Sequence, residues 1–185
     1  MLLFSLCTLL SGCVLLTKPD VIKQPVLMPM APPVGPSRRV VQQITAQWPD
    51  RKETMLSVLE LDKQHIAMAG LTNDGLSLFN LTYDGKTIVA DKSPLLPDSV
   101  APEFIITDLQ LVYWPVAVLQ KSLHASLWRL EVDTSHRRLY YQGNKAVEVN
   151  YLLPDSTRAK SVELINYRYN YRLLIKTISY EALPE

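Results

Sequence analysis

The stretch from Gln64 to Lys92, QHIAMAGLTNDGLSLFNLTYDGKTIVADK, constrains the fold more than any other part of this chain. Three short apolar runs, at 65–71, 76–83 and 87–90, are separated by Asn73-Asp74-Gly75 and Asp84-Gly85. Asn and Asp tolerate positive φ and Gly prefers it, so these sequences between β-prone runs mark hairpin turns. The stretch therefore reads as a three-strand antiparallel meander. Its middle strand places Leu76, Leu78, Asn80 and Thr82 on one face, and Ser77, Phe79, Leu81 and Tyr83 on the other. The first strand is apolar or small on both faces: Ile66, Met68 and Gly70 against Ala67, Ala69 and Leu71. A sheet with one face in water alternates more cleanly, so something apolar is expected over the second face.

Two strands are expected before the meander. In residues 39–48, Val40, Ile44, Ala46 and Trp48 lie opposite Gln43, Thr45 and Gln47, and Pro49-Asp50 ends the run. In 54–62, Met55, Leu59 and Leu61 face one way, and Leu56 and Val58 the other. After Ala90 the pattern changes. Pro94, Pro97 and Pro102 punctuate a loop in which Ser99 is the expected N-cap. Residues 103–113 then carry Ile105, Leu109 and Val112 at helical spacing. Trp114-Pro115 ends or kinks that helix, and 116–123 continue as a second short one. Strands resume at 127–133, 138–142, 146–152, 162–167 and 171–180, with a polar loop at 155–160. The expected architecture is mainly β, with α+β character. It is a curved antiparallel sheet or incomplete β-barrel of about ten strands with a mid-chain helical lid.

The N-terminus carries its own signal. Residues 2–10 form an apolar run too short to span a bilayer, ending in Leu10-Ser11-Gly12-Cys13. That ending resembles the bacterial lipobox, although no Lys or Arg precedes the run. The resemblance implies a lipoprotein signal peptide at 1–12, with diacylglycerol and an acyl chain such as palmitate on Cys13. By similarity to known lipoproteins, Val14 rather than Asp after the cysteine implies sorting to the outer membrane. Cleavage leaves one cysteine in the mature chain, so no disulfide within the domain is expected. Residues 13–37 read as the lipidated cysteine and a Pro-rich tether in extended conformation, with an ordered arm across the domain as the alternative. Residues 38–185 then form a single domain.

Little in the chain points to catalysis. Net charge is +1, which argues against a nucleic-acid partner. His65, His124 and His136 are scattered, without metal-ligand spacing. There is no nucleophile elbow and no glycine-rich phosphate loop. Asp108 reads as a helix-surface or interhelical hydrogen-bonding residue, and Tyr167, Tyr169 and Tyr171 as a row if their strand is continuous. No enzyme, metal or cofactor is expected beyond the lipid on Cys13.

The order of motifs, HIAMAGLTNDGLSLFNLTYDG, then DLQLVYWP at 108–115, then a closing strand hairpin, resembles a family of envelope lipoproteins of Gram-negative bacteria. That family carries only a domain-of-unknown-function label and is commonly encoded in aryl polyene biosynthesis clusters. The resemblance runs from the lipobox to Tyr180, and DLQLxxWP is its most specific piece. The family is in turn similar to the Lol lipoprotein carriers, LolA and the outer-membrane receptor LolB. This implies an incomplete barrel whose open mouth is covered by helices over an apolar cavity.

Trp48, Leu59, Ile66, Met68, Phe79, Phe104, Leu109, Val112 and Trp114 are expected to surround the space between sheet and lid. Pattern alone leaves open whether they line a cavity or form a solid core. The resemblance implies a monomeric lipoprotein of the periplasmic face of the outer membrane. Its partners would be that membrane, a hydrophobic cargo (a lipid, an aryl polyene lipid or lipoprotein acyl chains) and a soluble LolA-like carrier. The alternative is a scaffolding lipoprotein that recruits envelope or aryl polyene biosynthesis proteins.

Overall fold

The structure, a computed structural model, describes residues 26–97, 100–152 and 161–184. The expected signal peptide, Cys13 and the tether up to residue 25 lie outside the described residues. Strands β1 (Arg38–Gln47), β2 (Lys52–Leu61), β3 (Ile66–Leu71), β4 (Ser77–Tyr83) and β5 (Ile88–Lys92) come first. Helices α1 (Pro102–Tyr113) and α2 (Val116–Leu123) follow. Strands β6 (Trp128–Val132), β7 (His136–Tyr141), β8 (Asn144–Tyr151), β9 (Ser161–Asn166) and β10 (Tyr171–Ala182) close the chain.

The turns form for the reasons their residues supply. Gly85 sits at φ +94, and the Asp84 carboxylate accepts from the Lys86 and Thr87 amides at 2.8 and 2.7 Å. Successive hairpins of this kind give the sheet order β5-β4-β3-β2-β1-β10-β9-β8-β7-β6, antiparallel throughout and open between β5 and β6. The chain starts at the centre, steps outward to one edge, and crosses to the other edge through the helices. It then returns to the centre, where β10 pairs β1 with Ile44 opposite Ile175. Because the helical segment joins the two edges, it spans the sheet's concave side.

Alternation decides what each strand buries. Val40, Ile44, Leu59, Leu61, Ile66, Met68, Phe79 and Leu81 face inward from the first half, and Leu139, Val149, Val162, Leu164 and Ile175 from the second. The other face of β3, with Ala67, Ala69 and Leu71, is half-buried at the outside of the sheet. No described element of this chain packs over it, so the apolar cover expected there is not part of the described fold.

Helix α1 is enclosed on nearly every side, with Ile106, Thr107, Leu109, Gln110, Leu111 and Val112 all buried. Its end carries carbonyls that have no partner within the helix, and enclosed ones must find partners elsewhere. The strands supply them. Arg137 of β7 donates to the Leu111 and Trp114 carbonyls at 2.9 and 2.8 Å, and Tyr151 of β8 to that of Val112 at 2.6 Å. At the other end Ala101, not Ser99, is the N-cap, without a side-chain bond, and Pro102 follows it in the first turn. Ser99 itself lies outside the described residues. The Trp114-Pro115 break separates α1 from α2, whose Leu119 and Leu123 are buried.

Residues 26–37 depart from the expected tether. They form an arm without regular secondary structure that lies on the domain, with Met28, Ala31 and Pro33 buried. Prolines do keep this stretch out of the sheet. Backbone groups of Val26, Ala31 and Pro32 are met by side chains of the domain, so extended chain here is bound chain.

Gly70 pairs with Phe79 across β3 and β4. A Cβ at Gly70 would stand 2.3 Å from the Phe79 ring, which is itself 3% exposed. Glycine in a strand interior ordinarily costs stability, yet here the missing side chain makes room for the ring. Gly70→Ala is expected to destabilise the fold by about 1–3 kcal/mol, read as a lower denaturant midpoint. Combining it with Phe79→Leu should cost less than the sum of the two single changes. Strict additivity would show that the contact is not what requires glycine.

Candidate functional site

The concave interior is the one place where the sequence's candidate residues converge. Leu59, Ile66, Met68 and Phe79 from the sheet meet Leu109, Val112 and Trp114 from the helical segment in one buried cluster. Two candidates are placed differently. Trp48 lies just past the end of β1, half-buried outside that cluster, with the Arg51 guanidinium 4.2 Å from its ring. The turn at Pro49-Asp50 ends strand geometry before the alternation reaches it. Phe104 is half-buried at the interior's margin, edge-to-face on Tyr169 with ring centroids 4.6 Å apart.

Among the described residues, the interior beside α1 is closely packed. The free space beside α1 amounts to about 20 Å³, lined by Met28 of the arm, Phe104, Thr107 and Asp108 of α1, Trp128 and Asn166. That volume admits about one water molecule and no acyl chain. Between the two alternatives left open by pattern, this conformation is the packed one. The packing is completed by α1 and the arm together.

Polar groups inside are few, and most are paired; the buried Ser57 hydroxyl of β2 is the exception among the described residues. The Asp108 side chain points inward, not to the helix surface, and accepts from the Tyr171 hydroxyl at 2.5 Å. Asn166 in turn donates to the Tyr171 oxygen at 3.0 Å. Burial pushes the Asp108 carboxyl up to about 7 against the lowering effect of the Tyr171 bond, and pushes Tyr171 well above its ordinary value. Gln42, on the inward face of β1, donates to the Tyr113 hydroxyl, whose burial pushes it to about 12. Tyr167, Tyr169 and Tyr171 do not form a row, because 167–170 is a turn. Tyr167 bonds Glu148 on the outer face, Tyr169 meets the arm, and Tyr171 reaches Asp108.

The arm is held mainly by side chains. Gln110 accepts from the Ala31 amide at 2.8 Å and donates to the Ala31 carbonyl at 2.7 Å. The Trp114 indole donates to the Pro32 carbonyl at 2.8 Å, and the Tyr169 hydroxyl accepts from the Val26 amide at 2.8 Å. Gln110, Tyr151 and Arg137 were not singled out by sequence reasoning. Gln110 had a signal: a polar residue flanked by leucines in a helix with no wet face needs a partner.

On the convex face, Val58, Ala67, Ala69 and Val89 line a groove of about 400 Å³ with Glu60 and Asp91 beside it. Among the described residues no group of three or more His, Cys, Asp or Glu is placed to hold a metal ion. No helix among them is long and apolar enough to cross a membrane.

An open, curved antiparallel sheet with its apolar concave face covered by helices defines a mainly β half-barrel class. The chain belongs to the DUF3261 family, described as proteins of unknown function, whose profile matches residues 39–179. No curated protein matches the sequence significantly. Among solved structures, a LolA superfamily protein from Nitrosomonas europaea is similar at 8% identity and TM-score 0.48, covering 81% of this chain and 87% of that one. A domain described as an outer membrane lipoprotein-sorting protein, from Vibrio parahaemolyticus, is similar at 9% identity and TM-score 0.42, covering 81% and 88%.

The Asp108 carboxyl makes stability depend on pH. Its folded pKa, about 7, lies above the unfolded value near 4, so the folded state holds a proton that the unfolded state releases. The contribution is fully present below about pH 4, declines as pH rises toward 7, and is absent above it. Urea titrations from pH 4 to 8 should show wild type losing on the order of 2–4 kcal/mol relative to Asp108→Asn. Parallel profiles for the two proteins would rule out a neutral buried Asp108.

Proposed function

We propose that this protein is a non-enzymatic lipoprotein, anchored through Cys13 on the periplasmic face of the outer membrane, that binds a hydrophobic cargo and delivers it to that membrane. One observation carries the reading: the concave face of an open sheet is predominantly apolar, and a helix with an irregular arm covers it rather than a second sheet. The arm's part of that cover belongs to no strand or helix and is separable from the face beneath it. Affinity then follows from area, at about 0.8 kcal/mol per buried methylene, without specific polar contacts. The cargo is a lipid, an aryl polyene lipid or the acyl chains of a lipoprotein, received by a monomer from a soluble LolA-like carrier. The motif resemblance supports this role. Transfer requires only successive sites of rising affinity.

The convex groove favours a second reading. Val89 is 65% exposed there, and an exposed apolar patch of this kind suits a partner protein. A scaffolding lipoprotein that recruits envelope or aryl polyene biosynthesis proteins would use that face and leave the interior closed.

Native mass spectrometry of the full chain, purified from its own envelope, separates the two. A lipid of defined mass, lost on denaturation, together with uptake of a fluorescent fatty acid, is the expected result. Phe104→Asp, at the margin of the interior, should weaken uptake about tenfold or more while leaving the circular dichroism unchanged. A clean apo mass with no uptake would overturn the cargo reading and favour the scaffold.

A further inference from the structure

We propose that Gln110 and Trp114 form a recognition site for the N–H and C=O of an amide-linked amino-acid unit, which the chain's own arm occupies and which a cargo bearing an N-acylated unit of this kind takes over by displacing the arm. The inference rests on the cargo reading above and names what the cargo carries.

The site is built. Gln110 and Trp114 are each 0% exposed, and their three side-chain polar atoms converge on two consecutive residues of the arm. Gln110 offers one acceptor and one donor to one residue, the complement of a peptide N–H and C=O. Trp114 offers a donor to the next carbonyl along. Apolar side chains accompany these bonds, with Met28 5% and Ala31 0% exposed. This is the pattern of a bound peptide: main-chain groups read by fixed partners, flanked by buried apolar anchors.

The arm is also the part of the cover best suited to leave. Between Val26 and Pro36 it belongs to no strand or helix, so its departure breaks no ladder. Helix α1, by contrast, is tied to the sheet through Arg137, Tyr151 and Tyr171. Residual space of about 20 Å³ takes no chain, so binding requires the arm's volume. Once the arm leaves, Gln110 Oε1 is a buried acceptor that needs a donor. An N-acyl amide supplies one beside its apolar chain. An ester does not, and leaving the acceptor unpaired should weaken binding on the order of ten- to a hundredfold. The arm thus scales apparent affinity down to the fraction of molecules in which it is unseated.

The test uses the full chain and two fluorescent probes, an N-palmitoyl glycinamide and the corresponding palmitoyl ester. Ala31→Pro removes the amide that Gln110 accepts, and Met28→Ser removes an anchor; both change the arm and leave the site intact. Each is expected to tighten amide-probe binding about five- to tenfold, with an unchanged far-ultraviolet circular dichroism spectrum. Wild type should prefer the amide over the ester at least tenfold, and Gln110→Leu should abolish that preference. In hydrogen exchange, the probe should deprotect the Ala31 amide and leave α1 protected. Probe binding unaffected by both arm variants would overturn displacement while the cargo reading stands. Equal affinity for amide and ester would overturn amide recognition. Failure of wild type and arm variants to bind either probe would remove the cargo reading and this proposal with it.

Discussion

Everything in this fold depends on enclosing α1. A helix buried on most sides leaves few backbone groups to water, so the enclosed carbonyls at its end have to be met by the protein. Arg137 and Tyr151 do this from β7 and β8, and Tyr171 reaches Asp108 from β10. These bonds fix the helix's depth and rotation against the concave face. They also explain why strands far apart in sequence carry long polar side chains pointing inward.

The enclosure has an asymmetry that bears on function. Toward the sheet, α1 is held by apolar packing and by hydrogen bonds from several strands. Toward the arm, its contacts are the Gln110 pair and the Trp114 indole to an irregular segment. Local openings start where few ladder bonds have to break, which places the first opening of this interior at the arm. The proposed cargo role would make use of such a weak side.

Much of the fold was legible in the chain. The Asp84-Gly85 turn, the alternation through β3 and β4, and the helical stripe of 103–113 are local patterns, and each corresponds to an observed element. Of the nine residues expected around the interior, Leu59, Ile66, Met68, Phe79, Leu109, Val112 and Trp114 lie in one cluster, because a strand's or helix's period assigns its inward face. Trp48 escaped, since the turn at Pro49 breaks the period one residue too early. The tyrosines at 167–171 escaped for a similar reason: a turn resets the facing of each residue.

By itself, then, the sequence determined the elements, their order and their apolar faces, because propensity, turn chemistry and periodicity act over a few neighbouring residues. It did not determine that β1 would pair with β10, or that the prolines at 29–36 would mark a bound arm rather than a free tether. Nor did it show that Asp108 would meet Tyr171 inside. Those outcomes join residues 63 to 144 positions apart. Only the closed tertiary structure decides them, because the partner that satisfies a buried polar group is chosen by where the whole sheet curves and not by the group's neighbours in the chain.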